Sequence, residues 1–330
     1  MSFSLLGLFK VISFNVRLIY FVRIFLYPFD ISLKLLREST SYFGYNPRIC
    51  FTSACSVASL EASKEKVRGR IRDVAIKQSN ISQLMRTSRN DDSDVSHSIF
   101  QISPEHESRL LAQCNFGGVS RWALGVLLKE YKDREADATI LFYRSISGTP
   151  DTASLRGLMF EMQVLQYLDG LLGSEEFKIR GLTSPVEMIW TPGSTSRFDF
   201  LDGSGFTGKL KEAVQNGTGV HLVPSIPNFP AVDSVLYNPD QGLTFIQTTI
   251  REKHPILVSG LKRIQRWLNQ KKLLKGFHRL KRGPWRFLFI VDSGEATFEP
   301  QRLKGDSARG FWAGKVQQYV MRLDLFRIDV

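Results

Sequence analysis

Cysteine is scarce in this sequence: Cys50, Cys55 and Cys114 are the only three in 330 residues. They form no C-x-x-C pair and leave an odd count, which speaks against a disulfide framework or a zinc cluster and fits a reducing compartment. Scattered thiols of this kind read as small apolar packing residues. Long charge-free apolar runs are also missing. Residues 1–36 are apolar, but Lys10, Arg17 and Arg23 interrupt them, leaving no run near the ~18–20 residues that a spanning helix needs. No G-x-x-x-x-G-K-S/T loop, G-x-S-x-G elbow, H-E-x-x-H helix or dinucleotide fingerprint occurs; FTGKL around Gly208 is not a phosphate loop.

Acid is the minority charge. Lys and Arg number 44 against 32 Asp and Glu, for a net charge of +12 and a pI near 9.7. That balance favours a polyanionic partner, either nucleic acid or an anionic membrane surface. With 43% hydrophobic residues, the chain is long enough to bury a sizeable core in one or two domains.

Three zones follow from composition. In residues 1–36 the cations recur at nearly heptad spacing and no acid precedes Asp30, a pattern shared by a basic amphipathic surface helix, an organelle transit peptide and an ordinary helix packed on a domain. Membrane-surface contact or organelle targeting is the expectation carried by this zone. Residues 37–118 are rich in Ser, Asn, Arg and Asp, as in TSRNDDSDVSHS, and read as a polar, largely disordered linker with one short helix near Leu60 to Ile76. Residues 119–330 read as a folded α/β domain.

Within that domain RWALGVLLKEYKD predicts a helix. Asp151, Thr152 and Ser154 offer N-caps for another from about Leu155 to Leu172. Strands are expected at FKIRGL, EMIW, RFDFL, GVHLVP and AVDSVLY, and then, after the NPDQG turn, at LTFIQTTI and WRFLFIVD. Pro255 is expected to open a helix with Leu257, Leu261, Ile264 and Leu268 on its buried stripe, and FWAGKVQQYVMRLD reads as a closing helix. The fold class that results is α/β, a mixed central sheet flanked by helices.

Three positions draw attention chemically. Glu161 stands on an apolar helix surface, where a half-buried carboxylate needs a partner or a metal. Asp233 is an acid where the AVDSVLY strand should carry something apolar. Gln247 follows fourteen residues later across the NPDQG turn, so the two should be near neighbours on antiparallel strands. Oxygen ligands of this type hold a hard cation such as Mg²⁺ for phosphodiester hydrolysis. Spacing alone equally allows a surface helix residue, a turn-flanking acid and a polar strand residue.

The segments LRGLMFEMQV, PNFPAVDSVLY, FIQTTI with HPI and GLKRI, and QQYVMRLDL resemble the nuclease-type domain of Crinkler and retrotransposon-hot-spot proteins, a restriction-endonuclease-like branch of the PD-(D/E)xK superfamily. The resemblance covers roughly residues 120–330. It implies a metal-dependent endonuclease using Mg²⁺ or Mn²⁺, DNA or RNA as partner, and a nuclear or host-nuclear effector role. The family pattern is a helix acid, an acid opening one hairpin strand, and an acid and a lysine one residue apart on the next. Glu161 and Asp233 match the first two. Gln247 and Thr249 occupy the other two positions, an amide without charge and a hydroxyl in place of the lysine. The resemblance thus implies Glu161, Asp233 and Gln247 as metal ligands, Thr249 at the lysine position, and Lys253 or Arg251 as a substitute cation. His254 is another candidate acid or base, although its place before Pro255 also suits a residue that leads into a helix. A non-catalytic effector of the same fold is the rival expectation.

Between Arg251 and Arg286 stand twelve Lys or Arg against one acid, Glu252. Lys262, Arg263, Arg266, Lys271, Lys272, Lys275, Arg279, Lys281 and Arg282 form a basic ridge suited to phosphates, and the interleaved Trp267, Phe277 and Trp285 suggest stacking on bases. A solvated helix face followed by a polar loop has the same pattern.

Overall fold

A computed structural model of the chain describes residues 31–44, 46–77, 100–104, 114–132, 138–147, 152–171, 173–184, 186–225, 229–270, 284–292, 298–305 and 311–326. The expectations for residues 1–30 lie outside the described residues. Among the described residues, no helix is long and apolar enough to cross a membrane.

An eight-stranded mixed sheet forms the centre, in the order β4-β3-β12-β10-β8-β7-β6-β5. Its strands are β3 (Phe177–Gly181), β4 (Glu187–Trp190), β5 (Thr195–Phe200), β6 (Gly219–Pro224), β7 (Ser234–Asn238), β8 (Gly242–Thr249), β10 (Trp285–Asp292) and β12 (Val316–Leu323). Strands β5 and β6 are parallel, β7 is antiparallel to both β6 and β8, and β8, β10 and β12 are mutually parallel neighbours. Hence β5, β6, β8, β10 and β12 all end on one side, and the start of β7 lies there too. In open α/β sheets that carboxyl edge is where ligands bind.

Alternation along each strand splits the core in two. Ile246 of β8 and Leu288 and Ile290 of β10 face one buried cluster, whereas Phe245, Phe287 and Phe289 face the other. The first cluster is covered by α1 (Leu33–Phe43), α2 (Pro47–Ser53), α3 (Val57–Lys77), α4 (Arg121–Lys132), α5 (Ala138–Ser147) and α6 (Ala153–Asp169). Helices α7 (Gly203–Asn216) and α8 (Val258–Gln270) cover the second. Two short pairings lie outside the main sheet: β1 (Phe100–Pro104) with β2 (Cys114–Gly118), and β9 (Ile256–Leu257) with β11 (Leu303–Lys304).

The strands expected from FKIRGL through WRFLFIVD all form, and so does the mixed sheet between helices. Two expectations are corrected. The closing segment VQQYVMRL is not a helix but β12. Val316, Tyr319, Val320 and Leu323 recur at helical spacing, yet a strand packed on both faces needs no period-2 alternation. The stretch between residue 37 and the helix expected near Leu60 to Ile76 is likewise not a linker, since α1 and α2 occupy most of it, while the expected helix forms within α3. Leu36, Phe43, Cys50, Leu60, Val67 and Ile71 from these helices join the same buried cluster as α4 and α6. Small polar residues let α1 and α2 approach closely: buried Ser39 and Ser53 hydrogen-bond to each other, and Ser39 also donates to the Cys50 carbonyl at 3.3 Å. Gly44 ends α1 at φ 61°, and any Cβ there would strike the Val119 carbonyl. The N-terminal helices are thereby locked onto the start of α4.

Candidate functional site

A cleft of about 1020 Å³ opens at the carboxyl edge of the sheet. Its lining includes α1, the start of α4, the cleft-facing side of α6, the ends of β5, β6 and β8, residues 229–231 with Asp233, and the loop that leads into α8. Glu161, Asp233, Gln247 and Thr249 all line it, from three separate stretches of sequence.

Asp233 reaches its place through a tight approach. Ala231, two residues earlier, has φ 78°, a region that is costly for a residue with a Cβ. Gly260 of α8 packs so closely on this segment that a Cβ would collide with the Pro230 carbonyl. The Asp233 backbone N–H then donates to the Ile246 carbonyl at 2.9 Å, extending the β7–β8 ladder by one rung. Its Oδ2 accepts from Gln247 Nε2 at 2.8 Å and from both the backbone N–H and the hydroxyl of Thr248 at 2.7 Å. Asp233 and Gln247 are therefore adjacent, as their spacing across the turn predicts. Gln247 turns its amide N–H₂ toward the acid.

Glu161 projects from α6 into the same cleft, its side chain only 14% exposed, and lies against Arg121 Nη2, within ion-pair reach once its carboxyl is ionised. Burial, and then the nearby negative charge of Asp233, push its carboxyl up to about 8; Arg121 and Arg197 oppose the rise. Two acids 72 positions apart thus meet in one cleft, near enough for the charge of one to act on the other. A carboxylate pair of that kind favours a proton or a cation between its members.

Arg121 sits at the first position of α4, a placement that its neighbours fix. The Ser120 hydroxyl accepts from the Ala123 N–H at 3.0 Å, capping the helix, and donates to the Tyr42 carbonyl of α1 at 2.5 Å. From there the guanidinium reaches across to Glu161 and donates from Nη1 to the Pro224 carbonyl at the end of β6, at 2.9 Å. Nothing in the sequence marks this strut, because a pair 40 positions apart leaves no periodic trace.

A second polar cluster borders the cleft. Arg197 of β5 pairs with Asp169 at 3.1 Å and Asp199 at 2.8 Å, and buried His221 of β6 sets its Nδ1 2.6 Å from Asp169 Oδ1. Although burial opposes it, the bonds from His221 and Arg197 hold the Asp169 carboxyl below its ordinary value.

His254 also lines the cleft. Burial lowers its pKa below the ordinary imidazole value, aided by the Arg251 charge and opposed by Asp233. Two buried glutamines clamp its loop. Gln301 Oε1 accepts from the His254 N–H at 2.5 Å, Gln301 Nε2 donates to the Glu252 carbonyl at 2.8 Å, and Gln301 and Gln318 exchange backbone and side-chain bonds at 2.8 and 2.9 Å.

Other sequence-predicted site residues lie elsewhere or act differently. Thr249 lines the cleft, but its hydroxyl accepts from the Arg251 N–H at 3.0 Å and so shapes the turn after β8. Lys253 is exposed and does not line the cleft, and among the described residues no lysine does. On α8, Lys262 and Arg266 are exposed, and Arg263 lies over the Phe229 ring at 5.6 Å, at the rim of the cleft. Lys271, Lys272, Lys275, Arg279, Lys281, Arg282 and Phe277 lie outside the described residues. Stacking of Trp267 and Trp285 on bases is corrected. Trp267 packs among Phe200, Phe206 and Phe229, and Trp285 is buried against Phe245 and Trp312.

As to a metal, no group of three or more His, Cys, Asp or Glu is arranged to hold an ion among the described residues. The donor chemistry still fits Mg²⁺, which is commonly held by one or two carboxylates and completed by substrate phosphates and water. Glu161 and Asp233 offer two such carboxylates, and Gln247 offers an amide oxygen. Comparison of the chain with protein-family models, curated proteins and solved structures finds no match to any of them.

Proposed function

We propose that this protein binds nucleic acid at the carboxyl-edge cleft, and that the cleft is a nuclease-type site with Glu161 and Asp233 as its Mg²⁺ or Mn²⁺ ligands. One observation carries the reading: an acid on α6 and an acid opening the β7–β8 hairpin converge in one cleft, close enough for one charge to perturb the other. That is the placement the restriction-endonuclease-like resemblance implies. Exposed Lys262 and Arg266 on the adjacent α8 supply charge for the phosphate backbone.

The chain's own residues divide the work. Asp233 is held rigidly by Gln247 and Thr248, as a ligand must be to keep its geometry. Arg121 and Arg197 place positive charge along the cleft, where it would orient a phosphodiester. His254, its pKa depressed by burial, stands as a neutral proton acceptor near Asp233. A bound Mg²⁺ would supply polarisation of the phosphoryl group and a more acidic water.

A second reading, binding without hydrolysis, is favoured by a different observation. Gln247 stands where the family pattern has an acid, and among the described residues no lysine lines the cleft to stand in for the one that Thr249 replaces. Incubation of the purified chain with Mg²⁺ or Mn²⁺ and plasmid, oligonucleotide or RNA separates the two. Cleavage that is lost in Glu161→Gln is expected of the nuclease. Salt-sensitive binding with no product in either metal would leave only the binding module. Binding affinity should fall steeply as salt is raised from 50 to 200 mM; a flat response would remove both readings.

A further inference from the structure

We infer that the cleft takes a single strand of nucleic acid and excludes the duplex. The inference rests on the binding reading above and names its substrate class. Phosphates of a duplex line grooves about 12 and 6 Å wide, with a second strand alongside, so a protein reaches them from an open face or with a protruding element. Here Glu161, one member of the acid pair, is recessed. Glu161 is largely buried beneath the Arg121 strut, which joins α4 to the end of β6. On that side the wall is built of Tyr42 from α1 and Trp122 from α4, packed edge to face at 5.5 Å.

This wall is not a loose flap. Lys64 and Arg68 of α3 cap the Tyr42 and Trp122 rings at 4.4 and 5.6 Å. Gly44 packs against Val119, and Ser120 bridges α4 to the end of α1. The opposite rim carries Phe229 under Arg263. A space of about 1020 Å³ sits at the top of the ~300–1,000 Å³ range that encloses one drug-sized ligand. An open space of that size takes a few nucleotides of one strand down to Glu161, whereas a duplex could reach only its mouth. Arginines and aromatic side chains around a groove are also the chemistry that suits an unpaired strand.

One residue keeps the floor open. Gly157 lies one turn before Glu161 on the same face of α6 and lines the cleft. A Cβ there would meet only Ile250 Cγ1, at 4.0 Å, so a larger side chain would project into the open space with little strain.

The test uses the full chain, with labelled single-stranded DNA and RNA of about 12 nucleotides and the duplex of the same sequence, titrated at one salt concentration in EDTA and read by fluorescence anisotropy. At least one single strand is expected to bind about tenfold or more tightly than the duplex. Gly157→Leu, a better helix former at that position, should weaken single-strand binding about tenfold or more without lowering the urea midpoint. Duplex binding as tight as that of either strand would overturn the inference while leaving the binding function in place, as would an unchanged affinity in Gly157→Leu. Failure of every oligonucleotide to bind would remove the binding function itself.

Discussion

An Asp233→Ala variant should lose on the order of 3 kcal/mol of folding free energy, a large share of what a domain has. The Asp233 carboxylate is the shared acceptor for three donors, Gln247 Nε2, the Thr248 N–H and the Thr248 hydroxyl, all within 2.8 Å. Gln247 and Thr248 are both buried, so alanine would leave their donors without a partner, and each such orphan costs about 1–3 kcal/mol. The Thr248 hydroxyl can rotate to another acceptor, which keeps the total below the sum of three. Asp233→Asn retains one acceptor oxygen in nearly the same place and should cost less than half as much. Urea unfolding of the three proteins checks this. A loss under ~0.5 kcal/mol in the alanine variant, typical of an unremarkable surface substitution, would mean that this acceptor is not shared. In the same variant the site loses one of its two carboxylates, so the cation affinity of the pair should fall together with stability.

The strands were the most legible part of the molecule, because β-branched and aromatic runs bounded by turn residues have few alternatives. LTFIQTTI, flanked by NPDQG, becomes the buried strand β8. The Asp233–Gln247 neighbourhood could be read for the same reason: a hairpin with a known turn converts sequence distance into spatial distance. β12 could not be read. Its Gln318 sits among apolar neighbours as it would on a helix face, and only the distant Gln301, which bonds it at both ends, makes a buried amide acceptable in a central strand. The N-terminal helices were hidden by their serines. Ser39 and Ser53 look like linker residues until two helices bring them together in a buried contact.

The candidate site divides along the same line. Glu161 and Asp233 stand out as acids in apolar surroundings, a local signal. Arg121, Arg197 and His221 act through partners on other elements, so their roles exist only after folding. The consequence for function is specific. Part of the wall that narrows the cleft, Tyr42 with the Lys64 and Arg68 that cap the wall's two rings, comes from the segment whose composition suggests a linker, and truncation at residue 119 would remove it together with the support that holds Arg121 over Glu161.

Glu161 gives the second large expectation, a stability that falls as pH rises through neutrality. Its carboxyl moves from an ordinary 4.5 to about 8 on folding, chiefly through burial and then through Asp233. Between those values the native chain holds a proton that the unfolded chain has released, so the slope of unfolding free energy with pH is negative. At 1.36 kcal/mol per pKa unit the full loss is on the order of a few kcal/mol, nearly complete above about pH 8. His254 works in the opposite sense below 6.5, where its depressed pKa makes the unfolded chain the better proton binder. The Glu161 effect should therefore be clearest from about pH 7 to 8. In Glu161→Gln the titration is gone, and urea midpoints should be nearly level over that range while those of the wild type decline. Mg²⁺ sharpens the experiment. A cation held by the carboxylate pair displaces the proton, so millimolar Mg²⁺ should raise the wild-type midpoint at pH 8 more than at pH 6 and leave Glu161→Gln unmoved. Parallel pH curves for the two proteins would show that Glu161 titrates normally. A Mg²⁺ effect that persists in Glu161→Gln would place the ion elsewhere.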